Sequence, residues 1–204
     1  MTRREILNAT DETLYDALKS ALSKLGYSFF DNGDYNLNII GIRSGARQAG
    51  LFDDVLCCAY REGGVKKVKR YEATTDAGTY WLQNPMNKKG TAMMVPGQYK
   101  KAYKIGKHTG YLALVQSKPI KVYRDNNRDI ILDVDSATID EGMFAVNIHR
   151  ASQVKRSKLN TNWSAGCQVV SSPDDFKELM GLARKSETLY GNDFTYTLIE
   201  ENNI

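Results

Sequence analysis

The chain has 204 residues, 42% hydrophobic and 25% charged, with a formal net charge of +4. That length and mixture describe one large soluble-type domain, or one domain with a small appendage, able to bury a proper core. No apolar run approaches the ~20 residues of a membrane-spanning helix, and three cysteines, two of them adjacent, make no disulfide framework.

The opening Met1-Thr2-Arg3-Arg4-Glu5 lacks the apolar centre of a secretory signal. As given, the chain reads as one made for a reducing compartment. The basic runs Lys66–Arg70, Lys88–Lys89, Lys100–Lys107 and Lys155–Lys158 read first as solvated faces. Attraction to a polyanionic wall or to nucleic acid is the lesser reading, and no nucleic-acid partner is expected.

In chain order, residues 11–25 predict an amphipathic helix. Thr10 is its N-cap, Asp11 and Glu12 lie in its first turn, and Gly26 stops it. Leu14, Leu18, Leu22 and Leu25 form one face that must dock, on the main domain before a separate module. Asp31-Asn32-Gly33-Asp34 is a turn, Leu37–Ile42 a short strand and Ser44–Gly50 a loop. Val55–Tyr60 and Val65–Ala73 predict strands joined at Glu62-Gly63-Gly64. Cys57 and Cys58, adjacent on a strand, point to opposite faces and read as packing residues.

Thr79–Gln83 is expected as a further strand. Residues 86–110, rich in Gly, Lys and Tyr, are the hardest to place, and one reading makes them a lobe over a site. They contain His108, either a substrate contact or a surface-loop histidine. Strands follow at Tyr111–Gln116, Ile120–Tyr123, Asp129–Val134 and Gly142–Ile148. Ser172-Pro173-Asp174-Asp175 starts a helix whose buried face is Phe176, Leu179, Met180 and Ala183. Asn192–Glu200 closes as a strand. The fold class is mainly β (α+β): a strand-rich sandwich or barrel-like core, a helix at the N-terminus and another after the nucleophile strand. Residues 1–45 form an N-terminal helical segment packed on a 46–204 catalytic domain. There is no internal repeat and no metal-spaced cluster of Cys, His and carboxylates, so neither metal nor cofactor is expected.

The chemistry concentrates in Asn147–Val170, NIHRASQVKRSKLNTNWSAGCQVV. A short strand ends in His149, a polar, basic loop follows, and Ser164-Ala165-Gly166-Cys167 leads into Val169-Val170. Cys167 is the candidate nucleophile. A thiol attacks as thiolate, so a neighbouring imidazole that takes its proton would activate it below the free value of about 8.5. The chain has only two histidines, His108 and His149. Gly166 reaches backbone angles barred to other residues, and the Gly166 and Cys167 amides are candidate oxyanion donors. The competing reading makes Gly166-Cys167 merely the start of a core strand.

His149, an intervening loop and Ser164-x-Gly166-Cys167 together resemble the signature of the L,D-transpeptidase (YkuD-type) catalytic domain. The stretch Tyr71–Tyr80 also looks like that family's strand–turn–strand segment, and the resemblance spans roughly Asp53–Val170. The variant with Ile-His-Arg and Trp-Ser-Ala-Gly-Cys-Gln-Val is similar to one in phage and bacteroidete-like proteins. The resemblance implies a cysteine acyltransferase on peptidoglycan stem peptides. Cys167, His149 and Gly166 would be catalytic, with Ser164, Trp163, Arg150 and His108 facing substrate. Three positions depart from the family: Ala165 replaces its second histidine, Arg150 stands where Gly or Ser is usual, and Val169 where Arg or Asn is usual. The expected alternatives are a non-catalytic wall-binding or virion protein on the same fold, or a cysteine hydrolase of another substrate. A wall enzyme without a leader implies either a leader removed or a phage protein released at lysis.

Overall fold

Thr2 and Glu5 form a reciprocal capping box that starts helix α1 (Arg3–Asn8). This helix goes unpredicted above, although Thr-x-x-Glu is a readable start signal. Thr10 then caps α2 (Asp11–Lys24) through the Thr13 amide, and Gly26 follows its end at φ +73°. The computed structural model describes residues 1–204. Helix α2 docks Leu14, Leu18 and Leu22, with Tyr15, on Ile40, Val55, Cys57 and Val68.

Those partners lie on three strands: β1 (Asn38–Arg43), β2 (Asp54–Glu62) and β3 (Val65–Thr74). The chain continues through α3 (Thr79–Gln83), β4 (Thr91–Met94), β5 (Gly97–His108), β6 (Tyr111–Gln116) and β7 (Ile120–Asp125). It ends with β8 (Asp140–Gly142), β9 (Ile148–Arg150), β10 (Gln168–Val170), α4 (Pro173–Tyr190) and β11 (Phe194–Glu200). Eight strands close a barrel in the order β1-β11-β5-β6-β9-β10-β3-β2, while β4-β7-β8 form a separate sheet. The fold is therefore mainly β with helices, as the strand-rich patterning predicts. The two parallel contacts, β1 with β11 and β9 with β10, join segments far apart in sequence. Residues 1–45 are more than a helical appendage, because β1 is itself a barrel strand.

Alternation along β2 sends its two cysteines to opposite sides, as expected. Cys57 faces the helices and Cys58 joins the principal core with Leu56, Tyr71, Leu114 and Tyr196. Ser172 caps α4 at the Asp175 amide, and Phe176, Leu179 and Ala183 enter the same core.

That core contains a polar plug. Arg43 is 2% exposed and donates to Thr75 Oγ1, the Thr75 carbonyl and the Met94 carbonyl. Asp54 accepts from Ser44 N, Thr75 N and Thr75 Oγ1. Asp76 Oδ1 lies 2.9 Å from Arg43 Nε, but the N–H is directed at Thr75 and the oxygen keeps no hydrogen bond. Burial pushes both carboxyls up, Asp54 to about 8. Two buried acids against one guanidinium retain a proton at neutral pH.

Four expectations need correction. Thr79–Gln83 is helical, not a strand. Its aromatic and β-branched composition suggests a strand, but the amides of Gly78 and Tyr80 donate to the Ser164 and Thr161 carbonyls, and Thr79 N lies 3.4 Å from the Asn160 carbonyl, holding the turn. Asp129–Val134 makes a single bridge, Gln48 with Ile131, because Arg128 at φ +67° and the Asn127 side chain fold the segment on itself. Gly142–Ile148 is interrupted by Ala145 at φ +56°, so His149 arrives on the short strand β9. Residues 86–110 are mostly strands β4 and β5 rather than a lobe, with only 86–90 left as a loop beside the site.

Candidate active site

Strands β9 and β10 run parallel, with Val169 opposite His149 and Gln168 opposite Ile148, while Gln168 N donates to the Asn147 carbonyl. Ile148 and Val170 belong to the core, so His149, Val169 and Cys167 project from the other face. Cys167 stands in register with Asn147, one side-chain step from His149. Neighbouring strands ~4.8 Å apart and a rise of ~3.3 Å per residue put the two Cα atoms roughly 8 Å apart. Both side chains line one recess of about 350 Å³, walled by Trp81, Met86, Phe144 and Trp163.

The histidine tautomers follow from their partners. His149 Nδ1 lies 2.8 Å from the Arg150 carbonyl, which can only accept, so Nδ1 carries the proton and Nε2 keeps its lone pair. Asn147 Oδ1 accepts from Gln116 N, which fixes the amide orientation and points Nδ2 at His108 Nδ1, 3.0 Å away. His108 therefore accepts at Nδ1 and carries its proton on Nε2. The rings stack with centroids 4.3 Å apart. His149 is 4% exposed. Burial first, then His108 and Arg150, lower it to about 4 against the smaller opposing pull of the Arg150 carbonyl. Burial, then Arg150, also lowers His108.

The thiol is shifted toward its neutral form as well. Its Sγ donates to the Ala145 carbonyl at 3.5 Å and receives the Asn147 amide at 3.4 Å. Burial pushes it up to about 11, the Asn147 amide opposing. Against the thiolate–imidazolium pair expected from the sequence, burial pushes the thiol up and the imidazole down, so it favours the neutral form of each.

Gly166 has φ +119°, and a Cβ there would lie 2.5 Å from the Ala92 carbonyl of β4. Its amide does not point at a reaction centre. It donates to Ser164 Oγ, while that hydroxyl donates to the Cys167 carbonyl at 2.8 Å. Ser164 is fully buried and staples the turn rather than facing the recess. The Cys167 amide makes no hydrogen bond within the protein and is the remaining candidate oxyanion donor of the two expected. Trp163, 39% exposed, and His108 both line the recess. The Arg150 guanidinium stacks 4.0 Å over the Tyr111 ring.

Two residues that organise the site go unnamed in the sequence reading. Asn147 binds Cys167 Sγ, His108 and Gln116, and its position two before His149 on one strand face is the only signal it leaves. Tyr111 lies with its hydroxyl 3.4 Å from His149 Nδ1 and from the Arg150 carbonyl. Nothing local in the sequence marks it, because its strand meets β9 from another part of the chain.

Comparison of the chain with protein-family models, with curated proteins and with solved structures gives no match in any of the three.

Proposed function

We propose that the protein is a cysteine acyltransferase or peptidase, L,D-transpeptidase-like, that acts on peptidoglycan stem peptides through a thioester on Cys167. One observation carries this reading. Cys167 and His149 open into a single recess from one face of a parallel strand pair, with His149 held so that its basic nitrogen, Nε2, is the free one. In this scheme Sγ adds to the peptide carbonyl as Nε2 takes its proton. The Cys167 amide stabilises the oxyanion, the C–N bond breaks, and His149 returns the proton to the leaving amine. An acceptor amine or water then attacks the thioester, giving a proton to Nε2, and Sγ leaves to recover it. Because both partners start neutral, proton transfer accompanies bond formation rather than preceding it.

The thiol at about 11 and the imidazole at about 4 favour, as the second reading, a protein that keeps the fold to bind wall material without turning it over. Mass spectrometry decides between them. Purified protein is incubated with tetrapeptide-containing muropeptides and, separately, with a carbapenem. A changed muropeptide together with a covalent adduct on Cys167 is expected. Absence of both would leave the binding reading.

A further inference from the structure

The recess around Cys167 is the middle of a longer groove. On one side it shares Met86, Phe144, Ala145 and Ala165 with a hollow of about 420 Å³. On the other it shares His108, His149, Asn162 and Trp163 with a hollow of about 410 Å³ that also contains Arg150 and Tyr111. No aspartate or glutamate lines any of the three hollows. Each flank has one arginine, and the two differ in the way that matters for binding. Arg124 is 8% exposed and already paired with Asp140 at 3.1 Å. Arg150 has no carboxylate within ion-pair distance.

The unpaired guanidinium is also held in place. Its guanidinium carbon sits 4.0 Å from the centre of the Tyr111 ring, which is itself braced edge-on against Phe176 and His108. Stacking satisfies the face of a guanidinium and leaves its edge of N–H donors free, the geometry that receives a carboxylate with two parallel hydrogen bonds. Beside it, the His108 tautomer fixed by Asn147 presents a neutral Nε2–H, and the lowered basicity of both imidazoles leaves Arg150 the only cation lining that hollow. A fixed, unpaired cation in an acid-free hollow that joins the nucleophile's recess is an anion site.

We propose that the hollow on the His149 side of Cys167 is a carboxylate subsite with Arg150 as its anion-binding group, so that the substrate presents a free acid there and not an amide. This deepens the acyltransferase reading by naming a charge requirement on one arm of the substrate. The opposite hollow, where Arg124 is neutralised and the walls include Met86, Met143 and Phe144, would take the uncharged arm.

The test compares two alkylating agents of nearly equal size on the full-length protein: iodoacetate, an acid, and iodoacetamide, its amide. Each reacts by the same displacement, Sγ forming the S–C bond as iodide leaves. Attraction between opposite unit charges at a partly screened site is worth about tenfold in rate. The ratio of the two rates at Cys167 is therefore expected to exceed that of a small free thiol by about tenfold. Arg150→Gln should bring it down to the free-thiol ratio, and Arg150→Lys should retain part of it. The backbone carbonyl that holds His149 is untouched by either change. In parallel, N-acetyl-D-alanine and its amide are titrated into the Cys167→Ala protein while the Trp163 indole proton is followed by NMR. The acid should bind more tightly, and Arg150→Gln in that background should abolish the difference. Equal ratios in the native and Arg150→Gln proteins, or equal binding of acid and amide, would overturn the subsite. Neither arm requires muropeptide turnover, so a failed turnover assay and a failed subsite are separate results.

Discussion

Gly166→Ala places one methyl group against the backbone of a neighbouring sheet, and its cost can be worked from the geometry. The residue has φ +119°, a region that side-chain-bearing residues adopt only at a penalty of about 1–3 kcal/mol. The new Cβ would sit 2.5 Å from the Ala92 carbonyl oxygen and 3.1 Å from its carbon. Ala92 cannot simply rotate away, because β4 is paired with β7 at Ala92–Arg124. Overpacking of that kind adds about 1–3 kcal/mol. The sum of about 2–6 kcal/mol corresponds, at about 2–4 °C per kcal/mol for a chain of this size, to a melting point lowered by roughly 5–20 °C. Gly181→Ala is the control. It lies within α4, its Cβ would meet nothing within 4 Å, and Ala in a helix gains about 0.5–1 kcal/mol over Gly. Thermal unfolding by circular dichroism should therefore move in opposite directions for two identical substitutions. If Gly166→Ala melted within about 1 °C of the native protein, the turn would not be locked against β4 and the account of how Cys167 is presented would fail.

Two further expectations concern protons. With the thiol raised to about 11, iodoacetamide should modify Cys167 at a rate still climbing above the free-thiol midpoint. His149→Ala should not raise that midpoint, since burial already disfavours the imidazolium. Cys57 and Cys58 should stay unmodified until the protein unfolds. A rate plateau near neutral pH, removed by His149→Ala, would restore the preformed ion pair. The second concerns the Arg43 plug. The folded protein holds a proton on Asp54 or Asp76 that the unfolded chain releases at about 3.8, so stability falls as pH rises toward the folded value of about 8. The melting temperature should drop between about pH 4 and 8 and level off above that, and Asp76→Asn, which removes the surplus acid, should flatten that slope. An unchanged slope in Asp76→Asn would show that the carboxyls do not share a retained proton.

How much could be read in advance depended on whether the deciding contact was local. Helices α2 and α4 were legible because their caps, apolar faces and stop signals lie within one stretch. The hairpin of β2 and β3 was legible from alternation and Gly63-Gly64. The short α3 was not, since its helical turn exists only because carbonyls of residues 160–164 accept its amides, some eighty positions later. Barrel closure through β1 and β11 is likewise a pairing of opposite ends of the chain. The candidate site divides the same way. Cys167, His149 and Gly166 stand out by residue type and spacing. The inward staple made by Ser164, and the parts of Asn147 and Tyr111, depend on which strands are neighbours. The thiol's raised basicity was invisible for a related reason, because desolvation belongs to the surroundings and not to the residue.

The parallel pairing of β9 and β10 separates what the segment between them may vary from what it may not. The distance from Cys167 to His149 is set by backbone register, and a slip of one residue would send Cys167 into the core. The stretch 152–159 is tied beside those strands: Ser157 N donates to the Ser171 carbonyl, Arg156 pairs with Glu72 and Asp175, and Leu159 bridges Leu51. Residues 153–155, exposed and hydrogen-bonded to nothing beyond Ser152, can vary without touching those ties, while the far end of the segment delivers Asn162 and Trp163 to the groove wall. Spacing and wall are thereby set by separate parts of the chain: the strands fix where Cys167 stands against His149, and the end of the loop shapes the groove beside them.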